Sequence, residues 1–264
     1  MNPVFIQAVG MVAPGLFGWE GARGVLSGDR RYQPEALPLL KPDMLKPNER
    51  RRTSNTIKLA LQAIQDALGA RSLANDLATV FASSEGDMEI VDKICRALDS
   101  DDRPVSPTHF HNSVHNAPAG YASIAAGSQN ASTSIAALGG SFASGLLEAA
   151  VQACTEQQPV LLVAYDYPVP FPLSEPIPIT QPFAASLLIS AAPNAAGNLA
   201  RLDPRLEGDG EESHLADSQL EQLRLNNPAA RSLPLLQALA SGGQRQLILP
   251  YLPGLNLTVG FTPC

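Results

Sequence analysis

Residues 127–150 read GSQNASTSIAALGGSFASGLLEAA. Within them, Ala131–Ala137 places Thr133 and Ile135 among small residues and predicts a strand. Phe142–Cys154 follows as a helix in which Glu148 is the only charged residue. A helix apolar on nearly every side belongs inside a protein, so strand and helix together mark the centre of a core. Gly139 and Gly140 suit the turn between them, because a sharp reversal is easiest where no Cβ interferes.

The same alternation extends on both sides. Val4–Val9 predicts an opening strand and Trp19–Leu26 a short helix, while Pro34, Pro38, Pro42 and Pro47 make residues 29–48 a loop. Thr53–Leu68 is the clearest helix, with Ile57, Leu61, Ile64 and Leu68 on one face and Gly69 as its stop. Leu77–Ser83 predicts a buried strand, Met88–Leu98 and Ala117–Ala126 helices, and Val160–Tyr165 and Ala184–Ile189 further strands. Strands alternating with helices imply an α/β fold with a mostly parallel sheet covered on both faces. Beyond Ala192 the composition changes. Glu207–Glu212 is an acidic loop, Ser232–Leu239 a short helix, and Leu247–Leu252 with Leu255–Phe261 a hairpin around Pro253-Gly254. Residues 193–264 therefore read as a divergent extension packed on the domain formed by 1–192.

Composition narrows the function classes. A chain of 264 residues, 45% of them apolar, can bury one substantial core. A formal net charge of −7 argues against a nucleic-acid surface, and the one dense basic run, Arg50-Arg51-Arg52, reads as a solvated helix start or ion-pair site. Cys95, Cys154 and Cys264 are scattered, unlike metal-binding pairs or a disulfide framework, and suit a reducing cytoplasm. The apolar start MNPVFIQAVG lacks the basic region of a signal peptide and reads as the first strand. No stretch approaches the ~18 uninterrupted apolar residues of a membrane span.

The segment 127–150 resembles the nucleophile elbow of β-ketoacyl synthases, whose pattern is roughly G-x-x-G-P-S-x-x-I-x-T-A-C-x-S-G before an alanine-rich helix. Laid on it without a gap, Gly127, Ser132, Ile135, Ser141, Ala149 and Ala150 match, and the cysteine position falls on Gly139. Upstream, residues 105–120 (VSPTHFHNSVHNAPAG) are similar to the synthases' S-P-x-x-x-x-x-S-V-x-N-x-x-A-G run, with Ser106, Pro107, Ser113, Val114, Asn116, Ala119 and Gly120 in register. The resemblance implies a thiolase-like half: layered αβα, with a mixed, mostly parallel five-stranded sheet. The second half of a full condensing enzyme supplies two catalytic histidines, and none of His109, His111, His115 and His214 lies in either of those motifs. The Cys-His-His set is thus absent.

Two chemical alternatives compete with this reading. Gly139-Gly140-Ser141-Phe142-Ala143 approaches the G-x-S-x-G elbow of α/β-hydrolases, which makes Ser141 a candidate nucleophile for a hydrolase or acyltransferase. Against it, the last glycine is alanine and only His214 follows the serine. His109, His111 and His115 are spaced loosely enough for a metal, yet no Cys, Asp or Glu inside the run completes a ligand shell. No cofactor or metal is expected.

What the resemblance implies is a non-catalytic chain-length factor that heterodimerises with a complete β-ketoacyl-ACP synthase, as in aryl-polyene, polyketide or fatty-acid-like elongation. Synthases dimerise through the strand before the elbow, which here is Ala131, Ser132, Thr133, Ser134, Ile135, Ala136 and Ala137. The preceding segment contributes to the partner's acyl tunnel, so His109, Phe110, His111 and Asn116, with Met88 and Ile90, are the candidate tunnel and interface residues. Asn116 is expected to hold backbone in place through its amide. An acyl carrier protein would be met through the complex. A stand-alone module binding acyl groups or a carrier protein is the remaining alternative.

Overall fold

The computed structural model describes residues 2–69, 77–195, 197–208 and 210–264. Asp209 of the acidic loop lies outside them. In chain order the elements are β1 (Val4–Ala13), β2 (Leu16–Phe17), α1 (Trp19–Leu26), α2 (Pro47–Arg52), α3 (Asn55–Leu68), β3 (Ala78–Ala82), α4 (Met88–Asp99), α5 (Pro107–Asn112), α6 (Ala117–Ala126), β4 (Ser132–Ile135), α7 (Ser141–Glu156), β5 (Val160–Asp166), β6 (Phe183–Ser190), β7 (Ala200–Glu207), α8 (Ser218–Asn226), α9 (Leu233–Ser241), β8 (Arg245–Leu252) and β9 (Leu255–Pro263), with 3-10 turns at Leu138–Gly140 and Ala229–Ser232.

The strands form one nine-stranded sheet in the order β4-β3-β5-β6-β1-β7-β9-β8, with β2 on β1. β4 and β5 pair parallel to β3, whereas β6 is antiparallel to both β5 and β1. Four of the five strands from β4 to β1 therefore run one way, as a mixed thiolase-like half requires. The expected strand count falls short because β7, β9 and β8 extend the same sheet from β1, all antiparallel. Periodicity finds strands but not their sense, so these additions were not legible as sheet members.

Helices cover the sheet in two layers. α1, α7, α8 and α9 enclose one core with Phe142, Leu162, Leu202, Leu236 and Val259. α3 and α6 enclose the other with Ile57, Leu61, Ile64, Phe81 and Tyr165. Ser54 Oγ caps α3 by accepting from the Ile57 amide at 3.2 Å, satisfying a donor that a helix start leaves free. Close approach is what two glycines allow: a Cβ on Gly10 of β1 would lie 2.1 Å from the Ala63 carbonyl of α3, and one on Gly145 of α7 2.7 Å from Ala82 Cβ of β3. β5 and β6, buried along their whole length, occupy the middle of the sheet.

Asp166, at the end of β5, joins the loop after β3 to the 3-10 turn before α9. Its Oδ1 accepts from Ser83 Oγ at 2.9 Å and the Ser84 amide at 2.8 Å, and its Oδ2 accepts from the Ala229 amide at 3.0 Å. Asn227 Nδ2 donates to the Asp166 carbonyl at 3.3 Å and the Gln181 carbonyl at 2.9 Å. Burial pushes the Asp166 carboxyl up from 3.8 to about 7, against the pull of the Ser83 hydroxyl and the Ser84 and Ala229 amides.

The two edges of the sheet differ. Along β8, Ser213 accepts from the Ile248 amide through its Oγ and donates its own amide to the Ile248 carbonyl, both at 2.9 Å. That strap is fastened by Glu212, which accepts from Arg224 Nη1 at 3.0 Å and Arg231 Nη1 at 2.9 Å. Pro250 removes a further donor from the edge. β4 pairs with β3 alone, and nothing among the described residues pairs with its other side.

A group protonated in the fold but ionised in the unfolded chain makes stability fall as pH rises. Denaturant midpoints should therefore decline between about pH 4 and about pH 7 and level off above, because the Asp166 pKa is raised from 3.8 to about 7. Asp166→Asn should flatten that slope. It should also cost about 1–3 kcal/mol, since the amide group cannot accept from all three donors.

Candidate functional site

Side-chain hydrogen bonds hold β4 and close the elbow. Thr79 Oγ1 donates to Ser132 Oγ at 2.9 Å, and Gln152 Nε2 of α7 donates to Thr133 Oγ1 at 3.0 Å, holding the strand between β3 and α7. Ala131, Ala136 and Ala137 flank the strand proper. After Ala137 the chain tightens into the 3-10 turn and enters α7. Ser141 closes this turn: its Oγ accepts from the Ala137 amide at 3.0 Å and donates to the Leu138 carbonyl at 2.7 Å.

The backbone conformation moves the apex by one residue from where the motif register puts it. Leu138 has φ 49°, a left-handed conformation that costs a leucine energy, and its side chain is 71% exposed. Nucleophile elbows carry their reactive side chain on a strained strand-to-helix turn of this kind. Here it carries an aliphatic group. Gly139, expected to need its missing Cβ, has no atom within 4 Å of that position and no left-handed φ. Gly140 is the residue that needs it, because a Cβ there would lie 2.1 Å from the Tyr251 carbonyl of β8. The C-terminal hairpin thus rests directly on the elbow.

Neither apex position offers a thiol, and Ser141 is buried with its hydroxyl committed to backbone on both sides. No histidine is among its hydrogen-bond partners, whereas a serine nucleophile is activated by an adjacent base.

His109 and His111 lie on α5, where His111 meets the Tyr121 ring edge-on at 6.2 Å. His115 donates Nε2–H to the Ser83 carbonyl at 3.0 Å. Among the described residues no group of three or more His, Cys, Asp or Glu could hold a metal.

α4 and α5 pack on each other, which brings Met88 and Ile90 to the same region as His109, Phe110 and His111. Phe110 is 70% exposed and Met88 half-buried, but Ile90 faces into its own chain, its amide capped by Asp87 Oδ1 at 3.1 Å. Ile90 is therefore placed to support α4 from within and not to reach a partner. Asn116 also departs from expectation: it is exposed at the start of α6, and its side chain caps nothing. The anchoring amide is Asn112, which is 1% exposed and bonds Arg52 and Tyr121. No helix was legible over these residues in the sequence, so nothing there singled out Asn112.

The helices that contact β4 carry exposed apolar side chains, Ile124 on α6 and Val151 on α7, and Leu138 of the elbow after it is exposed as well. No charged residue lies within Ala131–Ala137. An uncharged, unpaired edge between apolar helix flanks is a surface for strand addition.

The elbow geometry separates its two glycines in a way that measurement can check. Gly139→Ala should change unfolding stability by no more than about 0.5 kcal/mol, the usual range for an open surface site. Gly140→Ala should cost about 1–3 kcal/mol or more, because the β8 backbone must move.

The sequence matches the family described as the β-ketoacyl synthase N-terminal domain over residues 27–250. No curated protein sequence matches the chain. Among solved structures, the fold is similar to a chain of the ketosynthase ApeO in complex with its chain length factor ApeC from Xenorhabdus doucetiae, with 23% identity, TM-score 0.75 and coverage of 98% of this chain and 99% of that one. It is also similar to the ishigamide ketosynthase/chain length factor, with 15% identity, TM-score 0.78 and coverage of 100% and 99%. A third likeness is to a type II polyketide synthase complex of an acyl-carrier protein with its hexaketide-bound ketosynthase, with 12% identity, TM-score 0.76 and coverage of 100% and 99%. With the match covering most of its length, the chain belongs to the β-ketoacyl synthase N-terminal domain family.

Proposed function

We propose that this chain is a chain length factor: a subunit without condensing activity that pairs with a complete β-ketoacyl-ACP synthase and shapes its acyl tunnel. The observation that carries this reading is the contrast between the strapped β8 edge and the bare, uncharged β4 edge. A protein that guards one edge and leaves the other flanked by Ile124, Val151 and Leu138 favours pairing at β4. Across a two-fold axis, such pairing would make two central sheets continuous. The solved relatives support it, since two of them are ketosynthases with their chain length factors.

The partner supplies the chemistry. Its cysteine accepts an acyl group from acyl carrier protein, after which decarboxylation of a malonyl group on carrier protein drives the Claisen condensation. This chain, with Leu138 at its elbow apex and Ser141 spent on backbone, supplies neither nucleophile nor histidine. It sets geometry instead. Phe110, with His109, His111 and Met88 beside it, forms the part of the tunnel wall contributed across the interface, and Asn116 is exposed as well. The setting is polyene, polyketide or fatty-acid-like elongation in the cytoplasm. No helix of the described residues is long and apolar enough to cross a membrane.

The chain should co-purify one-to-one with its synthase, and Ile124→Asp should break the pair. A carboxylate left uncompensated at a closed apolar interface should weaken association by about a hundredfold or more, read by analytical ultracentrifugation, with the circular dichroism of the isolated chain unchanged. Undiminished affinity in that variant would place the interface elsewhere.

Phe110→Ala should lengthen the products of the reconstituted pair. One further extension needs room for two methylenes worth ~0.8 kcal/mol each when buried, a space a removed phenyl ring provides. Mass spectrometry of carrier-bound products reads the change.

A further inference from the structure

Phe110 projects from a helix too short to fix its own direction. α5 has six residues, fewer than the ~12–15 an isolated helix needs. Its orientation is therefore set by what its inner face bonds. Asn112 stands about 200° around the helix from Phe110, since each residue turns it about 100°. The exposures agree, at 1% for Asn112 and 70% for Phe110.

The Asn112 carboxamide binds in two directions. Its Nδ2 donates to the carbonyl of Arg52, the last residue of α2, at 2.8 Å, and its Oδ1 accepts from the Tyr121 hydroxyl of α6 at 3.0 Å. One side chain ties three helices. Only a group that donates and accepts at once can do this, which an amide does and a carboxylate does not. The Tyr121 ring also faces His111 edge-on. Buried polar groups with satisfied partners hold a single arrangement, because leaving one unpaired is costly.

We propose that Asn112 and Tyr121 are positioning residues for chain length: they fix the direction in which Phe110 meets the partner's growing acyl chain and so narrow the product distribution. The proposal rests on the reading of Phe110 as tunnel wall given above.

The test uses the reconstituted pair with acyl carrier protein and reads carrier-bound products by mass spectrometry. Tyr121→Phe removes one hydroxyl and leaves the ring. It should shift the ratio of neighbouring product lengths by about two- to tenfold, the range a neutral hydrogen bond spans in a two-state equilibrium. In the Phe110→Ala background the same change should add no further shift, since the residue through which it acts is gone. Asn112→Asp, which keeps the acceptor for Tyr121 and loses the donor to Arg52, should broaden the distribution as well. Unchanged lengths in Tyr121→Phe, with Phe110→Ala shifting them, would reject the positioning role and leave the wall standing. An equal Tyr121→Phe shift in both backgrounds would also reject it. No shift in Phe110→Ala would reject the wall and the lock together.

Discussion

A single buried carboxylate connects the parts of this protein. Asp166 gathers the Ser83 hydroxyl and Ser84 amide at the end of β3 and the Ala229 amide of the C-terminal segment. The first two set the loop that leads into α4, and the third brings in the 3-10 turn preceding α9. Asn227 adds a second tie at the same point. The C-terminal strands that extend the sheet and the hairpin that rests on the elbow are tied to the N-terminal half at this joint. A buried carboxyl is costly, and its retention here is consistent with the number of backbone groups it organises.

From that joint the architecture leads to an asymmetry of edges. The residues after β6 do not merely cover apolar surface. They extend the sheet, strap its new edge with Ser213, and seat Tyr251 against Gly140 of the elbow. One side is finished and the other left open. The open side is also where the elbow follows β4 and where α6 and α7 contact that strand.

Much of the fold could be read in advance because its central elements have strong local signals. α3 shows its apolar face, α7 its small, uncharged composition, and β5 and β6 their continuous apolar runs. What was missed lacked such signals. β7 carries Pro204 and four charged residues, α8 is polar along most of its length, and α5 spans only six residues. At the elbow, a motif register could locate the turn but not its apex, since Leu138 takes the left-handed conformation where the Ser141 hydroxyl closes the loop. The same limit applied to Asn112 and Asn116: only the hydrogen bonds that tie α5 to α2 and α6 decide which amide is buried.

In the proposed pairing, β4 completes its hydrogen bonding with a synthase. Hydrogen exchange of residues 131–137, compared between the chain with its partner synthase and the chain diluted below dissociation, tests it most directly. Those β4 amides not bonded to β3 should exchange freely in the separated chain and gain strong protection in the complex, with little change along β8. Protection that appears elsewhere while β4 remains open would contradict the account.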